Sequence, residues 1–326
     1  MKIACICQCR DECDIIELFV RINARVFDHI FIIDNNSADA TPQIIKKLIA
    51  EGYPITTTFD GDNTYNQDSL TTRALYSINS QGVYDWILPL DTDEFIHEPK
   101  DDILAKLEAV PMHMTPKSMW RSWVPTNTNY FEHLNPLYSI FNPLATENHI
   151  TYKVAVRKEH IPHIKLGHGN HNIYNAQNGQ QVPDMDSKIR INHFPVRSPE
   201  QITSKVVLGH YRQMVRNFSK KGDTGPVRYF FQLSKIHEEL RKSNFLITKE
   251  DLRRWAVIYN IEIPPSGNDP QIDSAYLENF GFEDDKIQYP DLARIALGAS
   301  FDRQMTIQHM VIQKLQRKLE ANGIAL

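Results

Sequence analysis

No apolar run in this 326-residue sequence reaches the ~18–20 residues that a membrane-spanning helix needs. The apolar stretch at the start, Met1 to Ile6, is too short for a secretory core segment, and Asp11 and Glu12 follow at once. A soluble, cytoplasmic chain is expected. Charge of one sign is also lacking: 36 Lys and Arg against 40 Asp and Glu leave −4, which argues against nucleic acid as a partner. Cysteine is scarce and confined to Cys5, Cys7, Cys9 and Cys13, with none elsewhere to pair with, which argues against a disulfide framework. Nor does the spacing suit zinc. Cys5, Cys7 and Cys9 alternate with Ala4, Ile6 and Gln8 at the period of a strand, and side chains in a row do not converge on a tetrahedral ion. Small buried hydrophobes in a central strand are the expectation. Internal repeats and low-complexity tracts are missing too. What is present, 41% hydrophobic and 23% charged residues, suffices for a packed core.

The first ninety residues switch between two periods. Lys2 to Cys7 has strand length, and from Asp11, a suitable N-cap, Ile15, Leu18, Phe19 and Ile22 recur at helical spacing. His29 to Ile33 is a second strand that runs into the polar cluster Asp34 to Ser37. Thr41-Pro42 opens a second helix with the stripe Ile44, Ile45, Leu48 and Ile49, closed by Gly52. Strands over 54–59 and 84–90 then flank a helix over 68–80. This alternation predicts an α/β fold, a mostly parallel sheet with helices on both faces. Right-handed crossovers bring the carboxyl ends of the strands to one edge, where ligands bind. Four polar clusters meet there: Cys9 to Glu12, Asp34 to Asp39, Asp60 to Asp62, and Asp91 to Glu94. Further strands are expected over 118–124, 151–157 and 188–194, and helices over 199–218, 227–243, 248–259 and 302–322. The predicted division is an α/β domain over 1–198 and a helical region over 199–326.

Asp91 and Asp93 flank Thr92 directly after the apolar strand Trp86 to Leu90. Two carboxylates so placed can share one hard divalent cation, which in turn can offset the charge of a departing phosphate. A solvated acidic turn is the plainer reading, and the position at a sheet edge favours the metal.

With these residues in view, the chain resembles nucleotide-sugar glycosyltransferases of the GT-A fold, of family 2 and the related family 92 type. Arg10-Asp11-Glu12, the loop Asp34 to Thr41, and Trp86 to Phe95 carry the likeness, with Lys153 to Arg157, Gly169-Asn170-His171, and Asn192 to Gln201 with Lys205 following the same pattern. It covers roughly residues 1–215. The resemblance implies a donor, a UDP-sugar, bound by Arg10, Asp11, Asp34, Asn36, Asp39, Asp60, Arg73, Asp91, Arg197 and Lys205. It implies Mn or Mg held by Asp91, Asp93 and His193, with Asp93 as a catalytic residue and a saccharide or lipid-linked acceptor in surface polysaccharide or lipopolysaccharide synthesis. Inverting enzymes of family 2 often carry a Glu-Asp pair in the acceptor half. No such pair occurs between residues 100 and 198, so His171 is the candidate for acceptor contact or proton removal.

Other features admit plainer readings. His160, His163 and His168 crowd near His171 and His193 and suggest zinc, yet no Cys and no helical His-x-x-x-His accompanies them. Trp120, Trp123, Tyr130 and Phe131 offer an acceptor platform, with core packing an equal reading for Trp120. Lys205, Arg212 and Arg216, followed by Lys220 and Lys221, form a basic stripe, either a solvated face or a peripheral contact with the inner face of a membrane. The last helix, with Met305, Ile307, Met310, Val311, Leu315 and Leu319, is suited to pack on a neighbour or on a second subunit of a homo-oligomer. Two other functions fit the same acids. One is a nucleotidyltransferase acting on sugar phosphates, disfavoured because no Gly-rich loop follows the first strand. The other is a non-catalytic carbohydrate- or partner-binding module.

Overall fold

The computed structural model describes residues 1–61, 67–133, 136–139, 141–143, 151–206, 235–240, 242, 246–260 and 288–297. Its central sheet is built from β1 (Ile3–Cys9), β2 (His29–Asp34), β3 (Ile55–Phe59) and β4 (Trp86–Asp91) in the order β3-β2-β1-β4, all parallel. The helices α1 (Ile16–Asn23), α2 (Thr41–Ala50) and α3 (Gln67–Asn79) are the crossovers. The alternation along β1 sorts its side chains between two cores. Cys5, Cys7 and Cys9 join Leu18, Phe19, Ile44 and Leu48 on one face, while Ala4 and Ile6 join Leu75 and Ile78 of α3 on the other. All four thiols are free and buried, and burial pushes each one up. They act as small hydrophobes, as the strand period predicts.

The register aligns the strand ends. Cys9 lies beside Asp34, Asp34 beside Phe59, and Gln8 beside Asp91. Helix starts depart from the sequence expectation. α1 begins at Ile16 rather than near Asp11, because Asp11 takes a left-handed backbone, φ 54°, within the preceding turn. Thr41 does not cap α2 either: Ala40 holds that position, and the Thr41 hydroxyl accepts the Glu12 N–H at 2.9 Å. Gly52 follows α2 with φ 93°, a conformation glycine adopts freely.

A second layer carries the rest of the site. β5 (Glu94–Phe95), α4 (Lys100–Glu108), β6 (Thr115–Pro125), β7 (Phe141–Pro143), β8 (Tyr152–Val154) and β9 (Val156–Arg157) are followed by the β10 (Ile164–Leu166) and β11 (Ile173–Asn175) hairpin and then β12 (Asp184–His193). β9 pairs antiparallel with β4 and extends the central sheet. The second sheet runs β5-β12-β6-β7, with β8 also on β6. The pairing of β12 with β5 sets His193 opposite Glu94, directly after the Asp-x-Asp sequence.

After residue 198, helical turns occur at 199–206, 235–240, Lys249–Asn260 and 290–297. Ile202, Val206, Ile236, Leu240, Leu252 and Trp255 bury together with Val124 and Val196. Arg212, Arg216, Lys220, Lys221 and the expected helix over 302–322 lie outside the described residues. No described helix is long and apolar enough to cross a membrane.

Candidate active site

At the ends of β1 and β2 the polar residues first build the loops. Asp11 Oδ1 accepts the Ala38 N–H at 2.7 Å, and the Asp11 N–H donates to Ser37 Oγ at 3.0 Å. Asp34 Oδ1 accepts the Ser37 N–H at 3.2 Å. Asp39 accepts the N–H groups of Cys13, at 3.1 Å, and Thr41, at 2.8 Å. These carboxylates stitch the β1–α1 turn to the β2–α2 turn. Asn36, with φ 58°, lies at the bend between them. A polar chain then runs across the edge: Arg10 Nη1 donates to Asn35 Oδ1 at 3.2 Å, and Asn35 Nδ2 donates to Asp60 Oδ2 at 2.7 Å. Asn35 is the linking residue, although in the sequence it is only one member of a polar loop. Arg73 lies exposed on α3.

The two acids after β4 have different surroundings. Asp91 is reached by Lys153 Nζ at 2.6 Å and by Gln67 Nε2 at 2.9 Å, one on each oxygen. Asp93 is 4% exposed and faces three nitrogens: Lys205 Nζ at 3.3 Å, Arg197 Nη1 at 3.6 Å and His193 Nε2 at 3.7 Å. Burial alone would raise the Asp93 carboxyl. The charges of Lys205, His193 and Arg197 more than offset it and hold the group well below the usual carboxylate range. His193 is drawn the other way. Burial lowers it to about 4 despite Asp93, so the ring is neutral near neutral pH. Its imidazole stacks on Trp120 with centroids 4.1 Å apart.

Arg197 is enclosed rather than presented to a ligand. Its fully buried guanidinium pairs with Asp14 at 2.6 Å and with Glu12 at 2.5 Å, and donates to the Phe194 carbonyl at 3.1 Å. Lys205, partly exposed, is the more open cation beside Asp93. Asp14, Glu12, Gln67, Glu94 and Lys153 all belong to this cluster; Glu12, Glu94 and Lys153 lie in stretches that carry the resemblance without being singled out there, and Asp14 and Gln67 have no local sequence signal.

His171 arrives on the turn 168–170, where Gly169 and Asn170 both have left-handed backbones, φ 66° and 59°. Its Nδ1 is 2.6 Å from the Tyr152 carbonyl oxygen. A carbonyl only accepts, so Nδ1 carries the proton and the lone pair resides on Nε2. Burial, with Lys153 adding to it, lowers this ring to about 4. Trp120 lies edge-on to His171, centroids 5.5 Å apart, so it bridges the two imidazoles. Trp123 and Tyr130 are instead fully buried in the core, where their polar atoms bond Asn192 and the Asp14 carbonyl. Phe131 packs against the same core.

Among the described residues no group of three or more His, Cys, Asp and Glu side chains is arranged to hold a metal ion. The structure brings Asp93 and His193 together and turns Asp91 toward Lys153 and Gln67. An ionised carboxylate and a neutral imidazole 3.7 Å apart are spaced as adjacent ligands of one cation. Such a pair fits an ion that takes its remaining ligands from substrate phosphates and water.

No family model and no curated protein matches the sequence. In structure the chain is similar to GT-A glycosyltransferases. S. aureus TarS 1–349 in complex with UDP-GlcNAc matches over 96% of this chain and 92% of that one, at 12% identity and a TM-score of 0.38. Glucosyl-3-phosphoglycerate synthase from Mycobacterium tuberculosis, in complex with Mn2+, UDP and glucosyl-3-phosphoglycerate, matches over 37% and 44% at 17% identity and a TM-score of 0.26. A CMP:2-keto-3-deoxy-manno-octonic acid synthetase complexed with CTP also matches, over 67% and 100%, at 9% identity and a TM-score of 0.33. These are likenesses of chain path.

Proposed function

We propose that this protein is a glycosyltransferase that moves a sugar from a UDP-sugar to a saccharide or lipid-linked acceptor, with inversion at the anomeric carbon. The observation that carries the reading is Asp93: an ionised, 4% exposed carboxylate at the ligand-binding edge of a parallel sheet, with His193 and Lys205 beside it. Arg10, Asn35 and Asp60 would receive the nucleoside, with Asp91 near the ribose and Lys205 on the diphosphate. Asp93 and His193 would hold a divalent ion, Mn or Mg, which when bound offsets charge on the diphosphate. The acceptor oxygen bonds to the anomeric carbon as the bond from that carbon to the diphosphate oxygen breaks. The hydroxyl proton passes to Nε2 of His171, whose other nitrogen is committed to Tyr152. The setting we favour is surface polysaccharide or lipopolysaccharide assembly in the cytoplasm.

Calorimetry with UDP, with and without MnCl2, tests the assignment. Binding is expected to tighten about tenfold or more with the ion and to lose that gain in Asp93→Asn. Failure of the wild type to bind UDP in either condition sinks the reading. A screen of UDP-sugars for donor hydrolysis then identifies the sugar.

A further inference from the structure

Lys153 is a charged side chain without access to water, 1% exposed on β8. Its ammonium donates to Asp91 Oδ2 at 2.6 Å and to the Gly169 carbonyl at 2.9 Å. Glu94 Oε1 lies 3.4 Å away, and the Trp120 ring centroid 5.6 Å away. Burial works against the charge, but Asp91 and Glu94 reverse that, and the group remains a cation. Enclosing an ammonium is costly, and breaking its pairs is costlier. Neutralising Asp91 does not require it, since that side chain is 32% exposed. The buried position does something else: it lets one ammonium reach both the carboxylate at the end of β4 and the turn at 168–170.

That turn is closed by its own backbone and gripped from outside as well. The Asn170 N–H donates to the Gly167 carbonyl at 3.0 Å and the Gly167 N–H to the Asn172 carbonyl at 2.8 Å. Gly169 and Asn170 are both left-handed, and the His171 ring closes over Gly169 so tightly that a Cβ there would lie 2.4 Å from Nε2. Where the Gly169 carbonyl is fixed, the imidazole is fixed. β8 grips the turn twice with consecutive residues: the Tyr152 carbonyl accepts from His171 Nδ1, and Lys153 donates to Gly169. The same Lys153 holds Asp91.

We propose that Lys153 is a positioning residue that joins the donor-side carboxylate Asp91 to the turn bearing His171, so that nucleotide arriving at Asp91 is registered at the imidazole. The proposal rests on the nucleotide-sugar reading. When a ribose hydroxyl engages Asp91, the ammonium is drawn less toward that carboxylate and more toward Glu94 and the Gly169 carbonyl. The His171 ring follows the carbonyl.

The test uses the full chain with isotope-labelled histidine, the His171 imidazole signal being assigned by its loss in His171→Gln. UDP with MgCl2 is the probe. In the wild type, UDP is expected to shift the His171 signal. In Lys153→Met titrated with UDP to saturation, as judged by calorimetry, the His171 signal is expected to stay still, and Lys153→Arg is expected to restore part of the response. Should Lys153→Met lack a cooperative melt, Lys153→Gln gives the same comparison. A His171 signal that moves equally in the wild type and the neutral variant overturns the link, as does a silent signal in a wild type that binds UDP; both leave the nucleotide reading standing. A wild type that does not bind UDP removes that reading and the link with it.

Discussion

Arg197 and His193 sit on either side of Asp93 and do different work. Arg197 commits its donors to Asp14, Glu12 and the Phe194 carbonyl, so it ties the start of α1 to the segment after β12. Removing it strands the fully buried Asp14 carboxylate. Arg197→Gln is therefore expected to cost about 3–5 kcal/mol, read as a drop in the urea midpoint with little change in slope. His193 matters through its titration. A histidine whose folded pKa is depressed, here to about 4, contributes stability that is complete above its unfolded value near 6.5 and is lost as pH falls through the folded value. Glu12, raised by burial to about 7 against the pull of Arg197 and Lys205, titrates across an overlapping window with the opposite sign. The wild-type curve therefore mixes the two, and the difference from His193→Gln isolates one. That difference is expected to change by about 2 kcal/mol between about pH 8 and pH 5, the wild type losing more than the variant on acidification. Parallel curves would show that the imidazole is not held neutral.

Elements with a strong internal period are legible in the sequence alone. The strands at 54–59 and 84–90 and the helix at 68–80 fall within two residues of β3, β4 and α3, because β4 is a continuous apolar run, α3 buries a helical stripe, and β3, exposed after Ile55, is a run of β-branched residues. The short pieces are not legible there. β5, β7, β10 and β11 have two or three residues each; β5 and β7 exist through strands elsewhere in the chain, and β10 and β11 through each other across a short hairpin. The candidate site divides the same way. Asp91, Asp93 and His193 stand out by type and context, whereas Lys153, Asn35 and Glu12 acquire their positions from pairing and turn geometry that no local window contains. The turn at 168–170 shows the point most sharply: a Gly-Asn-His run gives no sign that its imidazole folds back over the glycine. Gly169→Ala would place a methyl in a left-handed backbone and against the His171 ring. UDP affinity is expected to stay within about threefold while donor turnover falls about tenfold or more, a loss in kcat rather than in binding. A matching loss of UDP affinity would mean that the turn belongs to the donor pocket instead.

On the scale of the whole molecule, the far end of the described chain is fastened to its beginning. The N–H groups of Gln288 and Tyr289 donate to the two oxygens of Glu17 at 2.7 and 3.0 Å, which caps the helix at 290–297 with a carboxylate from α1. Arg21 holds that carboxylate in place at 2.9 Å and also reaches Glu51. Ala293 and Leu297 then complete the core over α1 and α2, and Cys13 Sγ donates to the Ala293 carbonyl at 3.6 Å. Cys13, 1% exposed, thus reports on the attachment. In the wild type its thiol should resist a thiol-reactive dye. Glu17→Ala removes the acceptors of the Gln288 and Tyr289 N–H groups, so labelling of Cys13 is expected to speed up about tenfold or more through local opening. Glu51→Ala leaves Glu17 and both N–H bonds in place but removes the acceptor of the Tyr289 hydroxyl, so its labelling rate is expected to rise less than that of Glu17→Ala. If Glu17→Ala is labelled no faster, the apolar contacts of Ala293 and Leu297 hold the segment by themselves. If both variants accelerate equally, the Tyr289 hydroxyl bond to Glu51 fastens the segment as much as the cap does.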